Sequence, residues 1–168
     1  MSDVLFLESQ QFRQIWLWVI IIAVQAATIA GTVVVMRRKN HPKRPRWSRL
    51  LMIAVTVLCA IVVALLFVAE LRTVVKPNGI YVRFFPFHLD DVKIAPSDLT
   101  SANAVTYSPL QDYGGWGIRW GKDGQAYSVS GRRGVLLTFA DTSRESLLIG
   151  SNQPDTLADA IAKIREQH

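Results

Sequence analysis

The sequence predicts an α+β membrane protein. A hairpin of two transmembrane helices is followed by a small seven-stranded β-barrel or sandwich, capped by a C-terminal α-helix. Three observations predict this. Two blocks, Ile15–Met36 and Leu50–Ala69, contain no Asp, Glu, Lys, Arg or His. After Pro77 the chain divides into short alternating pieces separated by Gly, Pro, Asn and Asp. A single amphipathic stretch beginning at Pro154 follows them.

The composition points the same way. Of 168 residues, 50% are hydrophobic and only 19% charged, with a mean hydropathy of +0.22. A soluble domain has about 25% charged residues, and the deficit lies in the two blocks. Beyond residue 69 about 100 residues remain, enough for one small domain. A large multidomain enzyme, a disulfide-stapled module and a fully soluble protein are thereby excluded. Cys59, the one cysteine, lies in the second block, where it acts as a small hydrophobe.

Residues 1–14 form an N-terminal segment expected at the membrane interface. The first block then supplies 22 residues and the second 20, each enough for a helix across a hydrocarbon core of about 30 Å. In lipid the backbone must satisfy its own hydrogen bonds, so both are helices despite their Val and Ile. A cleaved signal peptide fits poorly, because the run is long and Arg13 follows two acids. Trp16, Trp18 and Trp47 suit the water–lipid boundary. Small residues at Ala23, Ala27 and Gly31, and at Ala60 and Ala64, recur every fourth position and would allow close helix approach. Gln25, near mid-span, could bond to the other helix or to another copy.

Between the helices, segment 37–49 holds Arg37, Arg38, Lys39, Lys43, Arg44, Arg46 and Arg49 with no acid. The +6 net charge is therefore local, since eleven basic residues face eleven acidic ones from Glu70 onward. Nucleic-acid binders spread positive charge over a folded face, so nucleic acid is not an expected partner. The positive-inside rule puts this loop in the cytoplasm and the C-terminal domain, 70–168, outside. The same seven side chains can meet anionic lipid headgroups.

In the domain, strands are expected over Ile80–Phe85, Asp91–Ala95, Ala104–Ser108, Gly117–Trp120, Ala126–Ser130, Val135–Phe139 and Ser146–Ile149. Seven strands at this spacing suit a small barrel or sandwich. Pro154 fits a first helical turn, and Leu157, Ile161 and Ile164 form one apolar stripe over 154–167.

Several stretches resemble an uncharacterised bacterial family that pairs two membrane helices with a pleckstrin-homology-like domain. They are Tyr107-Ser108-Pro109, Tyr113-Gly114-Gly115-Trp116-Gly117-Ile118-Arg119, Ala126–Gly131 and Leu148-Ile149-Gly150-Ser151. Phe12-Arg13-Gln14 and Gly79–His88 fit as well. The resemblance implies a bacterial inner-membrane protein. Such domains are commonly cytoplasmic, opposite to the side implied by the charge.

Catalytic, metal and cofactor constellations are not expected. His88 beside Asp90 and Asp91 lacks a second imidazole, since the other histidines are His41 and His168. Ser128 and Ser130 have no nucleophile elbow. The glycines at 114, 115 and 117 precede a strand and no Gly-Lys-Ser/Thr follows, unlike a phosphate loop. The candidate interaction surface is Tyr113, Trp116, Arg119, Trp120, Arg132 and Arg133, because aromatic and arginine side chains dominate contact energy. These features make the chain a non-enzymatic, bilayer-bound interaction or assembly module. Its expected partner is another membrane or envelope protein, or a second copy of itself. Anionic-lipid sensing and an accessory role in a larger membrane complex are the alternatives.

Overall fold

The computed structural model describes residues 4–37, 46–121 and 123–167. It contains two compact units, 13–68 and a second made of residues up to Phe12 together with Ala69 onward.

The first unit is a pair of antiparallel helices, α1 (Ile15–Arg37) and α2 (Arg46–Val68). Both are long and apolar enough to cross a membrane, and almost none of either is buried. The less exposed positions recur at Ile21, Gln25, Thr28 and Thr32, and at Met52, Thr56, Cys59, Val63 and Leu66. This alternation of four and three residues is the seam of two helices crossing at a shallow angle. The Thr32 and Thr56 hydroxyls meet across it at 2.8 Å, and each also bonds a carbonyl one turn back, on Thr28 and Met52. The expected small-residue contact is corrected. Ala23, Ala27, Ala60 and Ala64 are exposed, and of that set Gly31 alone is partly covered. Ala23 lies two residues from the seam position Ile21, and two residues turn a side chain about 200° around a helix.

Among the described residues the second unit holds nine strands in two sheets rather than one seven-stranded barrel. Strands β1 (Phe6–Gln11), β2 (Glu70–Lys76), β3 (Gly79–Phe85) and β4 (Val92–Ile94) form an antiparallel sheet in that order. The remaining strands are β5 (Leu99–Thr106), β6 (Gly117–Gly121), β7 (Gly124–Ser128), β8 (Arg133–Phe139) and β9 (Leu147–Gly150). Their order is β5-β8-β9-β7-β6, and β7 and β9 run parallel. A short helix, α3 (Pro109–Tyr113), precedes β6, and α4 (Pro154–Arg165) follows β9.

The seven expected strands correspond to β3 through β9, and the two additional ones flank the helices. Residues 1–14 are therefore not simply an interfacial segment, because β1 pairs with β2 from Phe6↔Val75 to Gln11↔Glu70. Likewise Ala69, expected in the second span, is 2% exposed and belongs to the β-domain core.

The main core lies between the sheets. Leu71, Val75, Ile80, Val82 and Phe84 from the first sheet share one cluster with Val135, Leu137 and Ile149 from the second. Leu157, Ile161 and Ile164 of α4 complete it, all fully buried. Each such side chain contributes about 2 kcal/mol of transfer free energy. On the other face of the second sheet, Tyr107, Tyr113, Ala126 and Leu148 form a smaller cluster beside α3. Gly121 permits that packing, because a Cβ there would collide with the Asp112 carbonyl oxygen and the Tyr113 ring.

Strand β1 turns polar side chains inward. Glu8 is 8% exposed and Gln10 is 5% exposed. The Ser151 hydroxyl donates to the Glu8 carboxylate at 2.6 Å and the Asn152 amide donates to it at 2.8 Å. The Gln10 side-chain amide donates to the Gly150 carbonyl at 2.8 Å. These bonds fix β1 to the β9–α4 connection. Replacing Glu8→Ala removes the acceptor of the buried Ser151 hydroxyl and of the part-buried Asn152 backbone N–H and should cost about 2 kcal/mol. Urea unfolding of the detergent-solubilised protein checks this, with Glu8→Gln losing less.

Candidate functional site

The basic segment is described only at its ends. Arg37 is the last residue of α1 and is exposed, while Arg46 and Arg49 lie in the first turn of α2. Arg38, Lys39, Lys43 and Arg44 lie outside the described residues.

In the β-domain the six expected surface residues separate. Tyr113 is 6% exposed and packs edge-on against Tyr107, with ring centroids 5.9 Å apart. It is therefore a core residue, because α3 folds back over β6 and covers its ring. Trp116 is half-buried, and its indole N–H donates to the Gly131 carbonyl at 3.2 Å. The Arg119 Nε–H donates to the Trp116 carbonyl at 3.1 Å. These two bonds join Trp116, Arg119 and the turn before β8 into one rim. Gly131 has φ 75° in that turn, a conformation glycine adopts without strain.

Arg132 is exposed on the same turn, and its carbonyl accepts the Tyr107 amide at 2.8 Å. Arg133 instead pairs with Asp155 of α4 at 2.7 Å, both side chains being largely exposed. Trp120 is 67% exposed. It shares a face of β6 with Ile118, which packs on the main core, so strand alternation sends Arg119 to the opposite face. The structure thus joins Trp116, Arg119 and the Arg132 turn, and separates them from Trp120, Tyr113 and Arg133.

Sequence reasoning missed a second surface, on the outer face of the first sheet. The register places Gln11, Glu70 and Phe85 in one row. The next row on that face is Ser9, Arg72 and Arg83, and the one after it Leu7, Val74, Tyr81 and Lys93. Ser9 donates to Glu70 at 2.6 Å. Arg83 approaches Asp91 at 3.7 Å, and the ammonium groups of Lys76 and Lys93 lie 5.2 and 5.9 Å from the Tyr81 ring centroid. Arg72 and Arg83 are directly opposite each other, an arrangement that destabilises a sheet through like-charge repulsion. Just past β3, Phe85, Phe87 and Leu89 are 41%, 65% and 76% exposed. The signal available in the sequence was three large apolar residues at alternate positions running on past the strand.

His88 packs its ring edge-on against Tyr127, with centroids 5.2 Å apart, and its amide donates to the Phe84 carbonyl at 2.8 Å. A shallow polar hollow elsewhere is lined by Asp98, Phe139, Asp141 and Arg144. There the Arg144 guanidinium lies 3.8 Å from the Phe139 ring centroid and 3.7 Å from Asp98. The Ser143 hydroxyl and amide both donate to Asp141, holding its carboxyl below the usual value. Among the described residues no group of three or more His, Cys, Asp or Glu gathers as metal ligands would.

Comparison of the chain with protein-family models and with curated proteins finds no match.

Three phenols are pushed above their ordinary value of 10.0, in each case chiefly by burial. The Asp123 and Asp112 charges add to the rise at Tyr113, whereas Ser128 opposes it at Tyr107 and Arg144 at Tyr127. A phenol with a raised folded value keeps its proton longer in the native state. Its contribution to stability is complete below the unfolded value and is lost as pH rises through the folded one. Denaturant midpoints measured from about pH 9 to about pH 12 should therefore fall at the alkaline end. Tyr113→Phe should lessen the fall.

Proposed function

We propose that the chain is a two-pass membrane protein whose β-domain, held next to the bilayer, acts by contact rather than by turnover. It would serve as a protein-interaction or assembly module in a bacterial inner membrane. In this reading the basic segment is cytoplasmic, the β-domain lies on the opposite side, and the domain is a relative of the pleckstrin-homology-like modules. The partner is another membrane or envelope protein or a second copy of the chain.

The observation that carries the reading is the pairing of β1 with β2, the strands on either side of the two apolar helices. A domain built from both flanks of a helical hairpin is tethered twice, which limits its tilt and suits it to present a fixed surface. Seven basic residues between the helices support the orientation. The exposed Trp120 indole and the rim of Trp116, Arg119 and Arg132 provide the side-chain types that dominate contact energy.

Two experiments test this. A photoreactive phenylalanine analogue at Trp120 should give a discrete cross-linked product in intact cells, and the same analogue at Asp159 on α4 should not. In a Cys59→Ala background, Ser143→Cys should be labelled in intact cells by an impermeant thiol reagent. Protection until lysis would reverse the orientation. A turnover abolished by one polar substitution in the β-domain would overturn the contact-only function.

A further inference from the structure

Among the described residues the two sheets end in four edge strands, β1, β4, β5 and β6. An open edge offers unpaired N–H and C=O groups to another chain, and native proteins blunt such edges with charge, proline, bulges or brevity. Strand β1 turns the Glu8 carboxylate inward. Strand β4 has three residues and carries Lys93, and β6 has five and carries Arg119. Strand β5 has eight residues and neither a charge nor a proline. Its bulge lies at one end, between Leu99 and Ser101.

Register decides which backbone groups of β5 are open. The Tyr107 amide donates to the Arg132 carbonyl at 2.8 Å, just past the Thr106↔Arg133 pair. Alternate residues of an antiparallel strand bond a given neighbour. Ser101, Asn103 and Val105 therefore turn their backbone groups to β8, and Ala102, Ala104 and Thr106 turn theirs away from it. Both ends of that outward row are closed. Beyond Thr106 the next outward residue is Ser108, whose amide donates to the Asp112 carboxylate at 2.7 Å and whose carbonyl accepts the Asp112 amide at 2.8 Å. At the other end the Thr100 carbonyl accepts the Arg165 guanidinium. Between them, among the described residues, no strand flanks Ala102, Ala104 and Thr106.

The open row is symmetric about Ala104, and this selects its occupant. A second β5 running antiparallel would set Ala104 against Ala104, Ala102 against Thr106 and Asn103 against Val105. Each outward N–H then meets a carbonyl, and no like charges are opposed. The side chain on the axis is exposed and small, so it presents no bulk to its copy. A two-fold relation of this kind closes at two copies.

We propose that the free edge of β5 pairs with the same edge of a second copy, joining two five-stranded sheets into one continuous sheet. This narrows the contact-only reading given above to self-assembly and rests on it.

The test is disulfide formation by the full chain in isolated membranes, in a Cys59→Ala background, with copper phenanthroline as oxidant. Hydrogen-bonded partners in an antiparallel ladder have Cα atoms about 5.5 Å apart, a separation that a disulfide spans. Ala104→Cys should therefore give a linked dimer. Thr106→Cys alone should not, because the two copies of residue 106 lie four residues, about 14 Å, apart along the ladder. Coexpressed with Ala102→Cys, it should. Ser143→Cys reports random collision. Absence of a dimer at 104 overturns the proposal, as does a dimer at 106 alone or at 143 as strong as that at 104. A 104 adduct with a different protein also overturns it and assigns the edge to a foreign strand. In light scattering of the detergent-solubilised chain, Ala104→Lys should lower the dimer fraction several-fold at an unchanged thermal midpoint, and coexpression with Ala104→Glu should restore it. A dimer fraction indifferent to Ala104→Lys sinks the pairing. Turnover by the β-domain would defeat the contact-only reading while leaving the 104 disulfide in place, whereas cross-linking at Trp120 without a 104 disulfide would do the reverse.

Discussion

The first sheet of the β-domain closes on one backbone ladder, the antiparallel pairing of Phe6–Gln11 with Glu70–Val75. It joins segments separated by the whole length of both apolar helices, so its closure would be entropically costly in a free chain. The helices reduce that cost, since α1 and α2 run antiparallel and return the chain to its starting level. Pairing of the strands and pairing of the helices thus favour one another. The first sheet is incomplete without that return, because β2 is the inner strand between β1 and β3.

Polar groups set the specificity of this arrangement. In β1 the inward positions beyond Phe6 are Glu8 and Gln10, and their partners are Gly150, Ser151 and Asn152. A buried carboxylate is costly unless its oxygens are bonded, so the strand has one good register and is penalised in any other. The same logic operates on a smaller scale between the helices. Apolar side chains tolerate many axial alignments of two helices, whereas the Thr32–Thr56 contact exists at one.

Much of the architecture was legible because burial leaves a periodic trace. Val135, Leu137 and Phe139 alternate, and β8 is where that alternation places it; Leu157, Ile161 and Ile164 form a stripe, and α4 buries it. The two strands that escaped notice lack a clean trace for different reasons. In β1 the inward side chains after Phe6 are polar while Leu7 faces out, inverting the usual pattern. In β2 the strand continues from an apolar helix, so Leu71, Val74 and Val75 look like its continuation. Tyr113 was misplaced on the surface because a five-residue helix has too few turns to show which face it buries. The opposition of Arg72 and Arg83 could not be seen either, since it arises from register.

By itself the sequence determined where apolar side chains recur and with what period. Two uncharged blocks of sufficient length must be helices, seven alternating pieces must be strands, and one striped segment must be a helix, because local hydrogen bonding and apolar period dictate these outcomes within a few residues. Tertiary structure alone decided the division into two sheets, the parallel insertion of β9 beside β7 and the recruitment of residues 6–11 to a domain that lies beyond both helices. Those choices depend on which distant backbone donors and acceptors meet. That is a property of the closed chain, and no local pattern encodes it.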